Sequence, residues 1–172
     1  MVLNVRAMRS TPPNALPWLL LSAAVIVLDQ VTKALVVAHV LPGQRLTLVP
    51  HLLDLTLAYN TGAAFSFLAG AGGWQRWLFG LLAVGISLAL AAALARVPRG
   101  AWRTALPFAL IIGGALGNLV DRLRLGHVVD FILVHWRNDW YYPAFNAADS
   151  AITVGAVLLV GFAIWGDRHD KS

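Results

Sequence analysis

Asp130 and Asp149 are the residues whose type and placement point most directly to chemistry. An apolar run ends in Asn118-Leu-Val-Asp121-Arg122 and leads to Asp130 through Gly126-His127-Val-Val, while Asp149 belongs to Asn146-Ala-Ala-Asp149, which opens the next apolar run. If the two runs cross a bilayer antiparallel, both carboxyl groups lie at one depth near one membrane face. Two acids in one site disfavour double ionisation, so one holds a proton while the other accepts one, as acid/base catalysis requires. Each acid also has an ordinary reading. Asn146 is a good helix N-cap with Asp149 at the third position, where the helix dipole favours an acid, and Asp130 alone fits a loop carboxylate.

The elements that must carry these groups are set by composition. The chain has 172 residues, 59% hydrophobic and 12% charged, with mean hydropathy +0.71, far from the usage of soluble domains. An integral membrane protein follows. A bilayer core needs about 20 apolar residues per helix, and four runs qualify: about 18–40, 77–95, 105–122 and 147–166. The first has a polar, Arg-bearing leader like a secretory signal peptide, but it is too long for one and contains Asp29 and Lys33. We expect one domain over 1–172, all-α in its membrane part. The loops 41–76 and 123–145 fall on one side.

Basic residues give the orientation. Arg6, Arg9, Arg96, Arg99, Arg103, Arg168 and Lys171 lie in the short segments on the other side, so both termini are expected in the cytoplasm and the two long loops outside. In the first long loop, Leu53, Leu55, Leu57 and Tyr59 alternate with Asp54, Thr56, Ala58 and Asn60. That period of two predicts a strand, with Arg45–Val49 as partner and a turn at Asn60-Thr-Gly62. Ala63–Leu68 and a flexible Gly70–Gly73 approach follow. Trp136, Trp140, Tyr141 and Tyr142 in the second loop suit headgroup depth.

The costly polar groups share a level. At about 1.5 Å per residue, Asp29 lies about 18 Å along the first span, toward the exterior, and Lys33 lies one turn further. Asn118, Asp121 and Arg122 close the third span, and Asn146 and Asp149 open the fourth. Ionisable groups inside a membrane each cost about 2.5–3.5 kcal/mol on insertion scales, which makes such a layer a functional candidate. Asp29 and Lys33, four residues apart, also fit a self-neutralising pair with the lysine snorkelling outward, and Arg122 fits a phosphate anchor.

Other chemistries fare poorly. The formal charge of +5 comes from thirteen Lys and Arg against eight aspartates, but the basic residues sit in short flanks without interleaved aromatics, so no nucleic-acid partner is expected. Zero cysteines exclude a disulfide framework and a thiol nucleophile. There is no His-Glu-x-x-His, Gly-x-Ser-x-Gly or glycine-rich phosphate loop, so we expect no metal and no cofactor. A small proton- or cation-coupled transporter is the alternative, although it calls for polar groups through the membrane thickness.

Five ordered blocks resemble bacterial signal peptidase II, the lipoprotein signal peptidase family: Asp29-Gln-Val-Thr-Lys33, Asn60-Thr-Gly-Ala-Ala-Phe65-Ser, Gly113-Gly-Ala-Leu-Gly-Asn118-Leu-Val-Asp121-Arg122, Val129-Asp130-Phe131 and Phe145-Asn146-Ala-Ala-Asp149. The resemblance implies four membrane helices with a small exterior sheet and a mobile exterior loop, in the bacterial cytoplasmic (inner) membrane. It implies an aspartic endopeptidase with Asp130 and Asp149 as catalytic dyad. Asp29, Lys33, Asn60, Asn118, Asp121, Arg122 and Asn146 then support the site or hold substrate. The implied substrates are diacylglyceryl-modified prolipoproteins, cut before the lipidated cysteine, with membrane lipid and globomycin-type inhibitors as further partners.

Overall fold

The computed structural model describes residues 14–62, 73–137 and 139–169, with side chains to Ile164. Arg6, Arg9, Lys171, the Ala63–Leu68 segment and most of the Gly70–Gly73 approach lie outside the described residues, as does the Arg168 side chain. After a 3-10 turn at Leu16–Trp18, the elements run α1 (Leu19–His39), β1 (Arg45–Val49), β2 (Leu53–Asn60), α2 (Gln75–Leu94), α3 (Trp102–Leu125), β3 (Val128–Trp136), β4 (Trp140–Tyr141) and α4 (Ala147–His169). By length and composition, four helices can cross a membrane: Leu16–His39, Gln75–Leu94, Trp102–Leu125 and Ala147–Ile164.

The central helix is α3, which packs against α1, α2 and α4. Its buried face is made largely of small residues, Ala105, Ala109, Gly113, Gly114 and Gly117. Between lipid-immersed helices, small residues let backbones approach closely. Gly114 shows how closely: a Cβ there would collide with the Ala148 carbonyl oxygen, and 2.7 Å away with Ile152 Cγ1. Gly114→Ala is therefore expected to cost about 1–3 kcal/mol by overpacking and to push the first turn of α4 away from α3. A lower thermal midpoint together with slower turnover checks it; an unchanged midpoint contradicts the close packing.

The third helix is longer than the apolar run 105–122 at both ends. Arg103 and Thr104 follow Trp102 in a first turn that an apolar criterion passes over, and the helix stops only at Gly126. This glycine takes the left-handed conformation at φ 80° and returns its N–H to the Arg122 carbonyl at 3.2 Å, a C-terminal cap that favours glycine.

The expected β1–β2 hairpin is present, antiparallel, but it belongs to a four-stranded sheet of order β1-β2-β3-β4. The 123–145 segment is thus not simply a loop: Val128–Trp136 is a nine-residue strand. Its run Val-Val-Asp-Phe-Ile-Leu-Val-His-Trp is rich in β-branched and aromatic residues, which suits a strand covered on both faces. A bulge between Leu55 and Ala58 sets two residues of β2 against one of β3 and reverses the alternation, so that Asp54, Thr56 and Leu57 are the buried residues of β2. The sheet rests on the end of α1 through a cluster of Val36, Val40, Leu57, Val129 and Phe131.

Candidate active site

The short turn that joins α3 to β3 places Asp130 third in the strand, beside the start of α4. Asp130 is paired with Ala58 in the β2 register. Asn60, two residues on and so on the same face of β2, reaches back diagonally to donate from Nδ2 to Asp130 Oδ2 at 3.1 Å. The Asn60 amide is oriented by Gly62, whose N–H donates to its Oδ1 at 2.9 Å.

Asn146 joins the two acids. It is fully buried, and its Oδ1 accepts the N–H of Asp149 at 2.9 Å while Asp149 Oδ2 accepts the N–H of Asn146 at 3.2 Å. This reciprocal cap satisfies two orphan N–H groups where α4 begins. From the same side chain, Nδ2 donates to Asp130 Oδ1 at 2.8 Å. One residue therefore holds both carboxyl groups. They line a common cavity of ≈ 210 Å³ with Asn60, Asn118, Arg122 and Tyr142 among its walls.

Behind the acids lies a second layer. Lys33 does not snorkel outward; its Nζ is buried, 2.8 Å from both Asp29 Oδ2 and Asp121 Oδ2, and donates to Asn118 Oδ1 at 2.9 Å. Asn118 in turn donates from Nδ2 to Asp149 Oδ1 at 2.7 Å. Asp29 Oδ1 accepts the N–H of Ala148 at 3.0 Å, and Asp121 Oδ2 accepts the N–H of Val129 at 3.1 Å. These two supporting acids thus grip the backbone next to Asp149 and next to Asp130. Gln30 is the member that sequence reading missed: its Nε2 donates to Asp121 Oδ1 at 2.8 Å. Its place between Asp29 and the end of the Asp29–Lys33 block was the available signal.

Arg122 lines the cavity from α3. Its Nη1 donates to the Asn118 carbonyl at 3.4 Å, its guanidinium lies 5.3 Å from the Phe79 ring centroid, and the charges of Asp149, Asp130 and Asp121 act on it. His127 packs against Tyr59, with ring centroids 4.5 Å apart.

Burial, and then the charge of Asp149, push the Asp130 carboxyl up to about 7 against the hydrogen bonds from Asn60 and Asn146 and the charge of Lys33. A carboxyl raised on folding stabilises the fold fully below its unfolded value, and that stability is lost as pH rises through the folded value. Asp130→Asn removes this dependence. Its thermal midpoint relative to wild type is expected to be higher at about pH 8 than at about pH 4; a pH-independent difference would contradict the raised value.

Four membrane-length helices under a small sheet, with two amide-bridged carboxyl groups over a cavity at the sheet end, define a polytopic membrane protein built around a paired-acid centre. The comparisons place it further. Residues 21–165 match the family model described as Signal peptidase (SPase) II, and the chain belongs to that family, as a multi-pass bacterial membrane protease. It is 60% identical over 144 residues to the lipoprotein signal peptidase of Pseudomonas aeruginosa strain PAO1, covering 84% of this chain and 85% of the relative. The lipoprotein signal peptidase of Pseudomonas fluorescens strain Pf0-1 is 57% identical over 153 residues, covering 86% and 90%. Two bacterial membrane enzymes solved by the in meso method have the same fold: one with TM-score 0.78 and 31% identity, covering 91% of this chain and 92% of that one, the other with TM-score 0.70 and 32% identity, covering 84% and 90%.

Proposed function

We propose that this protein is an aspartic endopeptidase that removes signal peptides from diacylglyceryl-modified prolipoproteins, cutting before the lipidated cysteine. The observation that carries this reading is Asn146, which binds both Asp130 and Asp149 at the edge of one cavity. Asp149 accepts from two donors, the Asn118 amide and the Asn146 N–H, and sits in the first turn of α4, where the dipole favours negative charge. It is the base. Asp130, with its value near 7, is the acid.

In this mechanism Asp149 takes a proton from a water molecule as the water oxygen attacks the scissile carbonyl, and Asp130 gives its proton to the carbonyl oxygen. The tetrahedral diol then collapses. The C–N bond breaks, Asp149 passes its proton to the leaving amine, and Asp130 recovers one from the diol hydroxyl. No covalent intermediate forms. Asn60 and Asn146 hold Asp130, Asn118 holds Asp149, and Arg122 offers donors to a substrate carbonyl at the cavity wall.

The site belongs at the exterior face of the bacterial cytoplasmic membrane with both termini cytoplasmic. Arg96, Arg99 and Arg103 lie in and next to the short connection between α2 and α3, at the end of the helices opposite the sheet, which supports this orientation. There the acyl chains stay in lipid while the scissile bond reaches the acids. The transporter reading is not supported: Asp29, Lys33, Asp121, Arg122 and Asp149 lie together at the sheet end of their helices rather than through the membrane thickness, and the family is a peptidase family.

Incubating the purified protein with a diacylglyceryl-modified prolipoprotein tests the reading. The expected product lacks the signal peptide, starts at the lipidated cysteine, and disappears with globomycin. An uncleaved substrate, or cleavage that does not depend on the lipid, would overturn it.

A further inference from the structure

Lys33 has three ammonium hydrogens and three acceptors: Asp29 Oδ2, Asp121 Oδ2 and Asn118 Oδ1, all within 2.9 Å. Two carboxylates already neutralise it; the third contact, to a neutral amide, is more than neutralisation requires. An ammonium can only donate, so the Asn118 atom facing it is the oxygen. That oxygen also receives Asn146 Nδ2 at 3.1 Å, which uses both its lone pairs. The nitrogen of the same amide is thereby turned toward Asp149 Oδ1, 2.7 Å away. Rotating the amide by half a turn would set NH₂ against the ammonium and an oxygen against the carboxylate, two repulsive pairs in a buried place.

We propose that Lys33 is a positioning residue for the hydrolysis: through Asn118 it fixes the donor that holds Asp149 in the ionised form from which it acts as base. This rests on the assignment of Asp130 and Asp149 as the dyad. Lys33 is separated from the cavity by Asn118 and touches neither acid directly. The charged groups that act on Asp149 are Asp29 and Lys33 from α1, Arg122 from α3, and Asp130 from β3; Asp121 faces Lys33 from α3. Among them, Lys33 is the one whose hydrogen bond dictates the orientation of an amide on Asp149.

Lys33→Met alone would leave two buried carboxylates facing each other without a cation, so the test is made in an Asp29→Asn background. Asp29, Lys33 and Asp121 together carry one negative charge; Asp29→Asn with Lys33→Met leaves Asp121 alone and the same charge. Asp29→Asn by itself is the control. The readouts are thermal unfolding in detergent and the pH profile of kcat with lipidated prolipoprotein. In the Met double variant kcat is expected to fall about 10- to 100-fold with KM within about twofold, and the ascending limb of the profile, which reports the base, to move up by about 1 unit or more. Asp29→Asn/Lys33→Gln carries the same charge as the Met variant, so both lose the pull of the Lys33 charge on Asp149, but it keeps a donor for Asn118 Oδ1, and its limb is expected to lie well below that of the Met variant.

An unchanged limb in a folded Met variant, equal limbs in the Met and Gln variants, or loss of folding in both would each overturn the proposal and leave Lys33 as a structural ion pair. None of these touches the dyad itself. That assignment fails separately, if Asp149→Asn still cleaves at the wild-type rate.

Discussion

Asp130→Asn and Asp149→Asn are each expected to slow cleavage of a lipidated prolipoprotein by about 10²- to 10⁴-fold, the contribution of one positioned acid or base, while the protein still folds. The two defects differ in kind. With Asp130→Asn the base and its two donors remain, but no proton is available for the carbonyl oxygen. With Asp149→Asn the side chain has one oxygen left for two donors, the Asn118 amide and the Asn146 N–H, so one of them faces an NH₂ group and water goes unactivated. A gel assay of substrate and product over time, alongside thermal unfolding of each variant, measures both. Full cleavage by both variants would remove the dyad from the mechanism.

The second large effect belongs to Asn146. Asn146→Ala deletes the α4 cap, worth about 0.5–2 kcal/mol, and leaves buried partners unpaired at about 1–3 kcal/mol each; it also frees both acids from their common holder. Stability and turnover should therefore fall together. Asn146→Asp separates the two functions. It keeps an acceptor for the Asp149 N–H, so the cap survives, but it replaces the donor to Asp130 Oδ1 and Asn118 Oδ1 with a third carboxylate in the site. Activity should be lost about as completely as in Asp149→Asn, with stability recovered relative to Asn146→Ala only at acid pH, where the new buried carboxyl is protonated. An active Asn146→Asp enzyme would show that the amide bridge is dispensable.

Most of the site was legible because membrane residues are under so strong a solvation constraint. Asp29, Lys33, Asn118, Asp121 and Asp149 stand out in apolar surroundings, and helix rise alone brings them to one level. The cap at Asn146 was legible from its spacing to Asp149. The role proposed for these groups came from the five-block resemblance, since each alone admits a bland reading. The Lys33 snorkel failed because exposure cannot be read from a helical position: whether a long side chain turns to the interface or to a neighbour depends on what the neighbouring helix offers, here Asp121 and Asn118.

β3 was missed for a related reason. Its run, apolar but for Asp130 and His135, carries no alternation, because the strand is mostly buried on both faces, and periodicity is silent for such strands. Gly114 and Gln30 were visible as residue types, but their value lies in contacts with α4 and α3 that only the packed bundle supplies.

The most direct measurement of the central claim, that the pair works with one shared proton, is the pH dependence of single-turnover cleavage by the wild-type enzyme. Asp130 is protonated below about 7 and ionised above it, so the account predicts a rate that falls tenfold per pH unit once pH passes the neutral range. A rate that stays level or keeps rising through about pH 9, with the enzyme still folded, would mean that no proton held by this pair is needed for the cut.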